Sequence, residues 1–198
     1  MKNRLLKPRV PDGLFIHIPK TGGTSVMNCG AVSWSRSGHD YFCYPCSSGR
    51  IHENSTWIKK KVGNKNWHSM FKFCFVRNPY DRLVSFYHEN RQAMFGATRK
   101  RTFKQFCFML NTPIGSQQQY KHITDENGQI MVDYVGRYEK FQQDWDYLCE
   151  TIFHHKYYLP HLNRSNHQKD YMSYYNEETK QVVSDYYKKD FEMFGYNI

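Results

Sequence analysis

Apolar and polar positions divide the chain into short strands alternating with helices. Leu14-Phe15-Ile16-His17-Ile18 is a run of β-favouring residues closed by Pro19, which cannot donate to a sheet ladder, and it predicts a buried strand. Phe71 to Val76 (FKFCFV) predicts a second strand and Val132 to Tyr138 a third, while Tyr157-Tyr158-Leu159 reads as a further short strand before Pro160. Gly22-Gly23 turns the chain into a first helix within 13–31, with Thr24 or Ser25 as its cap. Ser55 is placed to cap a helix over 56–62 that Gly63 stops. Pro79 opens a helix running to Ala93, with Leu83, Phe86 and Tyr87 at helical spacing. Thr102 caps a short helix to Leu110, Phe141 to Ile152 reads as another, and Glu177 to Tyr187 as the last, with Phe191 to Tyr196 packing the tail. The polar segments are a lead-in over 1–12, a loop over 32–50, a basic link over 96–102, a surface excursion over 111–131 and a loop over 161–172. Strands alternating with helices imply an α/β, P-loop-like three-layer domain, a central parallel sheet flanked by helices, with 1–198 as one unit.

Ligands of such sheets bind outside the carboxyl ends of the strands. Lys20 and Arg77 both fall there, directly after the first two strands. Around Lys20, the sequence Pro19-Lys20-Thr21-Gly22-Gly23-Thr24-Ser25 joins a strand to a helix start through two glycines, an arrangement that presents N–H groups and a positive dipole end to an anion. A plain strand-turn-helix without a ligand is the alternative. The loop is not a Walker A sequence, in which the lysine follows the glycines.

A net charge of +10 in 198 residues adds the expectation of polyanionic company: nucleic acid, acidic polysaccharide, a phosphorylated cofactor or a membrane surface. Aromatic residues, 17% of the chain, supply ample core material. No apolar run approaches a membrane span and no signal peptide is visible. Cys43-Tyr44-Pro45-Cys46 is a lone CxxC; zinc would want a second pair or histidines, and His39 and His52 are near, while a local disulfide is the alternative. Cys74, inside an apolar run, reads as inert core.

Ile18-Pro19-Lys20-Thr21-Gly22-Gly23-Thr24-Ser25 resembles the 5′-phosphosulfate loop of sulfotransferases that use 3′-phosphoadenosine-5′-phosphosulfate (PAPS), and Phe75-Val76-Arg77-Asn78-Pro79-Tyr80-Asp81-Arg82-Leu83-Val84-Ser85 resembles their 3′-phosphate motif. Val135-Gly136-Arg137-Tyr138-Glu139 and Leu159-Pro160-His161-Leu162-Asn163 are similar to patterns of the carbohydrate-type branch, which includes heparan sulfate 2-O and chondroitin enzymes and short microbial relatives. The resemblance implies that Lys20 and the turn over Thr21, Gly22, Gly23, Thr24 and Ser25 hold the 5′ end of PAPS, with Lys20 stabilising charge on the leaving oxygen. It assigns Arg77 and Ser85 to the 3′-phosphate; without it, Ser85 reads as a solvent-facing helical serine. Arg82 is a phosphate ligand or a surface ion-pair partner of Asp81 or Glu89, and Arg137 reaches the same edge or bridges in the core. The heparan sulfate 2-O relatives take their general base from a histidine between the two nucleotide motifs. That interval here holds His39, His52 and His68, and His52 matches best in position, although the closely spaced histidine pair of those enzymes is missing.

The resemblance implies sulfuryl transfer from PAPS to a hydroxyl, on a carbohydrate, with PAP released, no metal required, and no nucleic-acid partner. The rivals are a P-loop-type nucleotide or small-molecule kinase and a non-enzymatic polyanion-binding module. Animal Golgi members carry a membrane anchor and stem that this sequence lacks. The expectation is a soluble enzyme, cytoplasmic if microbial or viral, or lumenal in the Golgi if the sequence is a trimmed catalytic domain.

Overall fold

The computed structural model describes residues 13–29, 52–92, 101–111, 117–160, 162 and 170–198. Three strands, β1 (Gly13–Phe15), β2 (Phe71–Val76) and β3 (Tyr134–Arg137), form a parallel sheet in the order β1-β2-β3. β1 is shorter than the apolar run suggests, but the chain stays extended beyond it, and the Ile16 N–H still donates to the Phe73 carbonyl at 2.8 Å. Side chains alternate across the pleat. Phe15, Phe73 and Phe75 meet Val26, Phe141, Trp145 and Leu148 on one face. Leu14, Ile16, Ile18, Cys74 and Val76 meet Ile58, Trp67, Met70, Ile123 and Phe194 on the other. Both faces are therefore covered, which is what makes the strands apolar throughout and gives the three layers the sequence implies.

The helices depart from the sequence reading at their ends. Helix α1 (Gly23–Met27) is capped by Gly22 in a left-handed conformation (φ 88°), not by Thr24 or Ser25. Helix α2 (Ser55–Ser69) is capped by the Asn54 side chain, which accepts from the Trp57 N–H at 2.9 Å; Ser55 is buried inside the first turn instead. Gly63 interrupts α2 with non-helical angles, yet a second helical stretch follows it to Ser69. Helix α3 (Pro79–Gln92) lies where the pattern places it; α4 (Phe103–Cys107) starts as expected, with a Thr102–Gln105 capping box that satisfies two N–H groups at once, but gives way to a turn three residues before Leu110. The supposed surface excursion contains α5 (Tyr120–Ile123), with Gln119, His122 and Ile123 buried. Helix α6 (Phe141–Leu148) ends earlier than expected in a π-turn over Cys149–Phe153. Residues 157–159 form no strand; Tyr157 instead accepts the Trp145 indole N–H through its carbonyl.

Helix α7 (Glu177–Phe194) runs a further seven residues past the expected end at Tyr187. It joins α3 and α4 in a third apolar cluster around Leu83, Phe106, Val183 and Phe191. Cys29, Cys74, Cys107 and Cys149 carry buried, unoxidised thiols, and burial pushes that of Cys107 up to about 12. Cys43, Cys46 and His39 lie outside the described residues.

Candidate functional site

The ends of β1 and β2 carry the two cations into one region. After β1 the chain turns at Lys20, whose backbone is left-handed (φ 67°), and at Gly22. Three consecutive carbonyls of this turn are held from inside. Ile18 C=O accepts from the Thr21 hydroxyl at 2.9 Å, Pro19 C=O from Arg82 Nε at 2.9 Å, and Lys20 C=O from Arg77 Nη1 at 3.3 Å. With these carbonyls tied inward, the turn leads into α1, where the Ser25 N–H already donates to the Gly22 carbonyl at 2.9 Å. Two rings set the glycine positions. A Cβ on Gly22 would meet the Phe141 ring at 2.6 Å, and one on Gly23 would meet His17 Nε2 at 1.9 Å.

Lys20 Nζ lies 3.1 Å from Glu89 Oε1 on α3. The Glu89 side chain is 57% exposed, and a pair with so exposed a partner is worth at most about 1 kcal/mol. A charge-assisted bond to phosphate is worth about 1.5–3 kcal/mol, so this ion pair would not keep Lys20 from an anion. Arg77 is held differently. Its Nε and Nη2 grip both oxygens of Asp81 at 2.8 Å in a buried bidentate pair, and its plane lies 4.2 Å from the Tyr138 ring centroid. Asp81 and the Lys20 carbonyl engage three of its five N–H groups.

Ser85 is buried rather than solvent-facing. The Ser25 hydroxyl, also buried, accepts the Leu162 N–H at 3.1 Å and keeps its own proton to donate. The Thr21 hydroxyl is committed to Ile18, which makes it a support of the turn; Thr24, partly exposed, follows at the head of α1. Arg82 is neither a surface residue nor an ion-pair partner of Asp81 or Glu89. It is fully buried, and it bridges Pro19 C=O to Gln117 C=O. Arg137 neither joins this edge nor forms a core ion pair among the described residues: it donates to the Phe194 carbonyl and stacks over Tyr196 at 4.8 Å, tying β3 to the end of α7.

His52 stands two residues before the Asn54 cap, beside the exit of β1. Its Nδ1 lies 3.3 Å from the His17 carbonyl and its ring meets the His17 ring edge-on at 4.3 Å. A carbonyl can only accept, so Nδ1 carries the proton and Nε2 is the bare, basic nitrogen. Partial desolvation of the ring lowers its pKa; the His17 carbonyl and Glu89 pull it back, and Arg82 and Lys20 push it down again. His68, at the far end of α2, is exposed.

Two further histidines escaped the sequence reading. His17 and His122 are buried, and desolvation first, then neighbouring histidines and cations, brings each to about 3. The period of two was the missed signal for His17: it shares the face of Phe15, on which it stacks at 5.5 Å. Among the described residues no cluster of His, Cys, Asp and Glu side chains is arranged to hold a metal ion.

A parallel sheet between two helical layers, with a lysine-bearing glycine turn after one strand and a buried arginine after the next, defines an α/β protein that gathers cationic side chains at its strand ends. The chain belongs to the sulfotransferase family, whose family model matches residues 12–197. It is also similar to a protein of Archaeoglobus fulgidus described only as uncharacterized, 29% identical over 89 residues that span 44% of this chain and 71% of that one. Among the described residues no helix is long and apolar enough to cross a membrane.

Proposed function

We propose that this sulfotransferase moves a sulfuryl group from PAPS to a carbohydrate hydroxyl. The observation that carries the reading is the meeting of Lys20, the turn at the head of α1, and Arg77 at adjacent strand ends, with a tautomer-fixed histidine alongside. The donor set suits a nucleotide bearing charge at two ends. Lys20, the amides of the glycine turn and the Ser25 hydroxyl would hold the 5′ phosphosulfate; the remaining Arg77 donors and Ser85 would hold the 3′-phosphate. PAPS supplies a sulfuryl group already activated on a phosphate leaving group.

Transfer requires the acceptor oxygen to lose its proton and the leaving oxygen to gain stabilisation. His52 Nε2 takes the acceptor proton, and the resulting imidazolium is steadied by its Nδ1–H bond to the His17 carbonyl. The Lys20 ammonium, released from Glu89, faces the charge growing on the leaving oxygen, a contribution of roughly 3–4 kcal/mol for one well-aimed donor. The lowered pKa of His52 keeps it neutral and ready at neutral pH.

A basic helix favours an acidic glycan as acceptor. α2 begins beside His52 and carries Lys59, Lys60, Lys61 and Lys65 with no acidic residue. Lys61 lies over the Trp57 ring at 5.2 Å, and none of the four lysines forms an ion pair among the described residues. Single-turnover transfer from PAPS tests the assignment. His52→Ala should lower the rate about 10²–10⁴-fold with PAP affinity nearly intact. In the wild type the acidic limb of the rate profile should lie below the ordinary histidine value and should vanish in the variant. Normal turnover with that limb retained would remove His52 from the mechanism.

A further inference from the structure

Gln119 and Asp190 stand apart from the charged end of the site, yet both are completely buried and both are tied to it. The Asp190 carboxylate, on α7, accepts the Gln119 N–H at 2.8 Å and the Tyr120 N–H at 2.9 Å. The Gln119 side chain then pairs with the Arg77 backbone in both directions. Arg77 N–H donates to Gln119 Oε1 at 2.9 Å, and Gln119 Nε2 donates to Arg77 C=O at 2.8 Å. A side-chain amide thus takes the place of a neighbouring strand at the residue where β2 gives way to α3. From that anchored backbone the Arg77 side chain leaves toward Asp81 and the Lys20 carbonyl.

Packing alone gives no reason for a carboxylate at position 190. Its neighbours along the same face of α7 are Val183, Tyr187, Phe191 and Phe194, and an apolar side chain there would avoid the cost of burying a charge. Desolvation indeed raises the Asp190 pKa, and the two backbone N–H bonds and the Arg82 charge oppose it. What the carboxylate provides is direction: it fixes the Gln119 backbone, and Gln119 fixes the Arg77 backbone.

We propose that Gln119 and Asp190 are positioning residues that set the direction in which the Arg77 guanidinium leaves β2, and thereby its discrimination for a 3′-phosphate. The second half of this statement rests on the PAPS reading; the first does not. Gln119→Met and Asp190→Asn are the variants, with Leu148→Ala, in the cluster on the opposite face of the sheet, as a control for destabilisation alone.

Two readouts separate the halves. In the protein without ligand, solvent exchange of the Arg77 Nε–H by NMR should quicken about tenfold in Gln119→Met and Asp190→Asn, the equivalent of one typical hydrogen bond, and should hold its wild-type rate in Leu148→Ala. By calorimetry, both variants should lose about tenfold in PAP affinity while adenosine 5′-phosphosulfate stays within twofold. Wild-type exchange in both variants, or PAP and adenosine 5′-phosphosulfate weakening together, overturns the proposal. A wild-type protein that binds the two nucleotides equally sinks the PAPS reading instead, and the exchange rates still decide the positioning role. Should Gln119→Met not fold, Gln119→Glu keeps the acceptor for the Arg77 N–H, loses the donor to its carbonyl, and should give the same two shifts.

Discussion

Lys20 shows how the site is held against local preference. A left-handed backbone costs an L-residue roughly 1–2 kcal/mol, and the turn keeps it through the bonds that Thr21, Arg82 and Arg77 make to three successive carbonyls. Strain of this kind persists where the surroundings over-determine it. Lys20→Gly should therefore melt at the wild-type temperature or slightly above it, while single-turnover transfer from PAPS falls by at least about a hundredfold through loss of the ammonium. Activity within a few-fold of wild type would take Lys20 out of the reaction, and a clear drop in melting temperature would mean the backbone is unstrained. Glu89 acts in the opposite sense. Because its carboxylate lies beside the ammonium and would repel an anion there, Glu89→Gln should tighten PAP binding modestly, by up to about 1 kcal/mol, as read by calorimetry. Weaker binding would make Glu89 a ligand-side partner rather than a competitor.

At the scale of elements, what the sequence made legible was set by how apolar each element is. FKFCFV is buried on both sides and needs no tertiary information to be read as a strand. Pro79 and the spacing of Leu83 and Tyr87 placed α3 equally well. The ends of helices were harder, because caps are chosen by geometry between neighbouring candidates: Asn54 rather than Ser55, Gly22 rather than Thr24. The segment around Gln119 was misread because its polar residues look solvated, and only contacts with α7 and β2, distant in sequence, make burying them worthwhile. The legible signal for Asp190 was a lone carboxylate among Val183, Tyr187, Phe191 and Phe194 at helical spacing. Lys20 and Arg77 were proposed from their place at strand ends, and His52 from its place before a helix start together with the family resemblance, whereas Glu89, His17 and His122 required the fold. The cap of α2 has its own test. Asn54→Ala should cost about 1 kcal/mol in urea unfolding and lower turnover, since Asn54 fixes the start of the helix that follows His52; Asn54→Asp should restore both. Full activity in a destabilised Asn54→Ala would separate the cap from the site.

The whole molecule should register the two buried histidines as acid sensitivity. His17 and His122 fall from 6.5 to about 3 on folding. The unfolded chain therefore takes up protons below pH 6.5 that the native state refuses, and stability is fully present above that value and is lost as pH falls from 6.5 toward 3. Two such groups give a slope approaching about 2.7 kcal/mol per pH unit. Urea unfolding between pH 7 and 5.5 should show it, and His122→Gln should flatten it by up to about half, since the lowered His52 adds to the slope in the same direction. An unchanged slope in that variant would mean His122 is protonated in the folded protein. The central claim, that a sulfotransferase sheet here is shaped for PAPS, is tested most directly by thermal unfolding with PAP. At a hundred times its dissociation constant a ligand of the native state adds about 2.7 kcal/mol, which for a chain of this size is roughly 5–10 °C. PAP should give that rise, Arg77→Ala should largely remove it, and ATP with Mg²⁺ should give none. Stabilisation by ATP–Mg²⁺ with none from PAP would contradict the account.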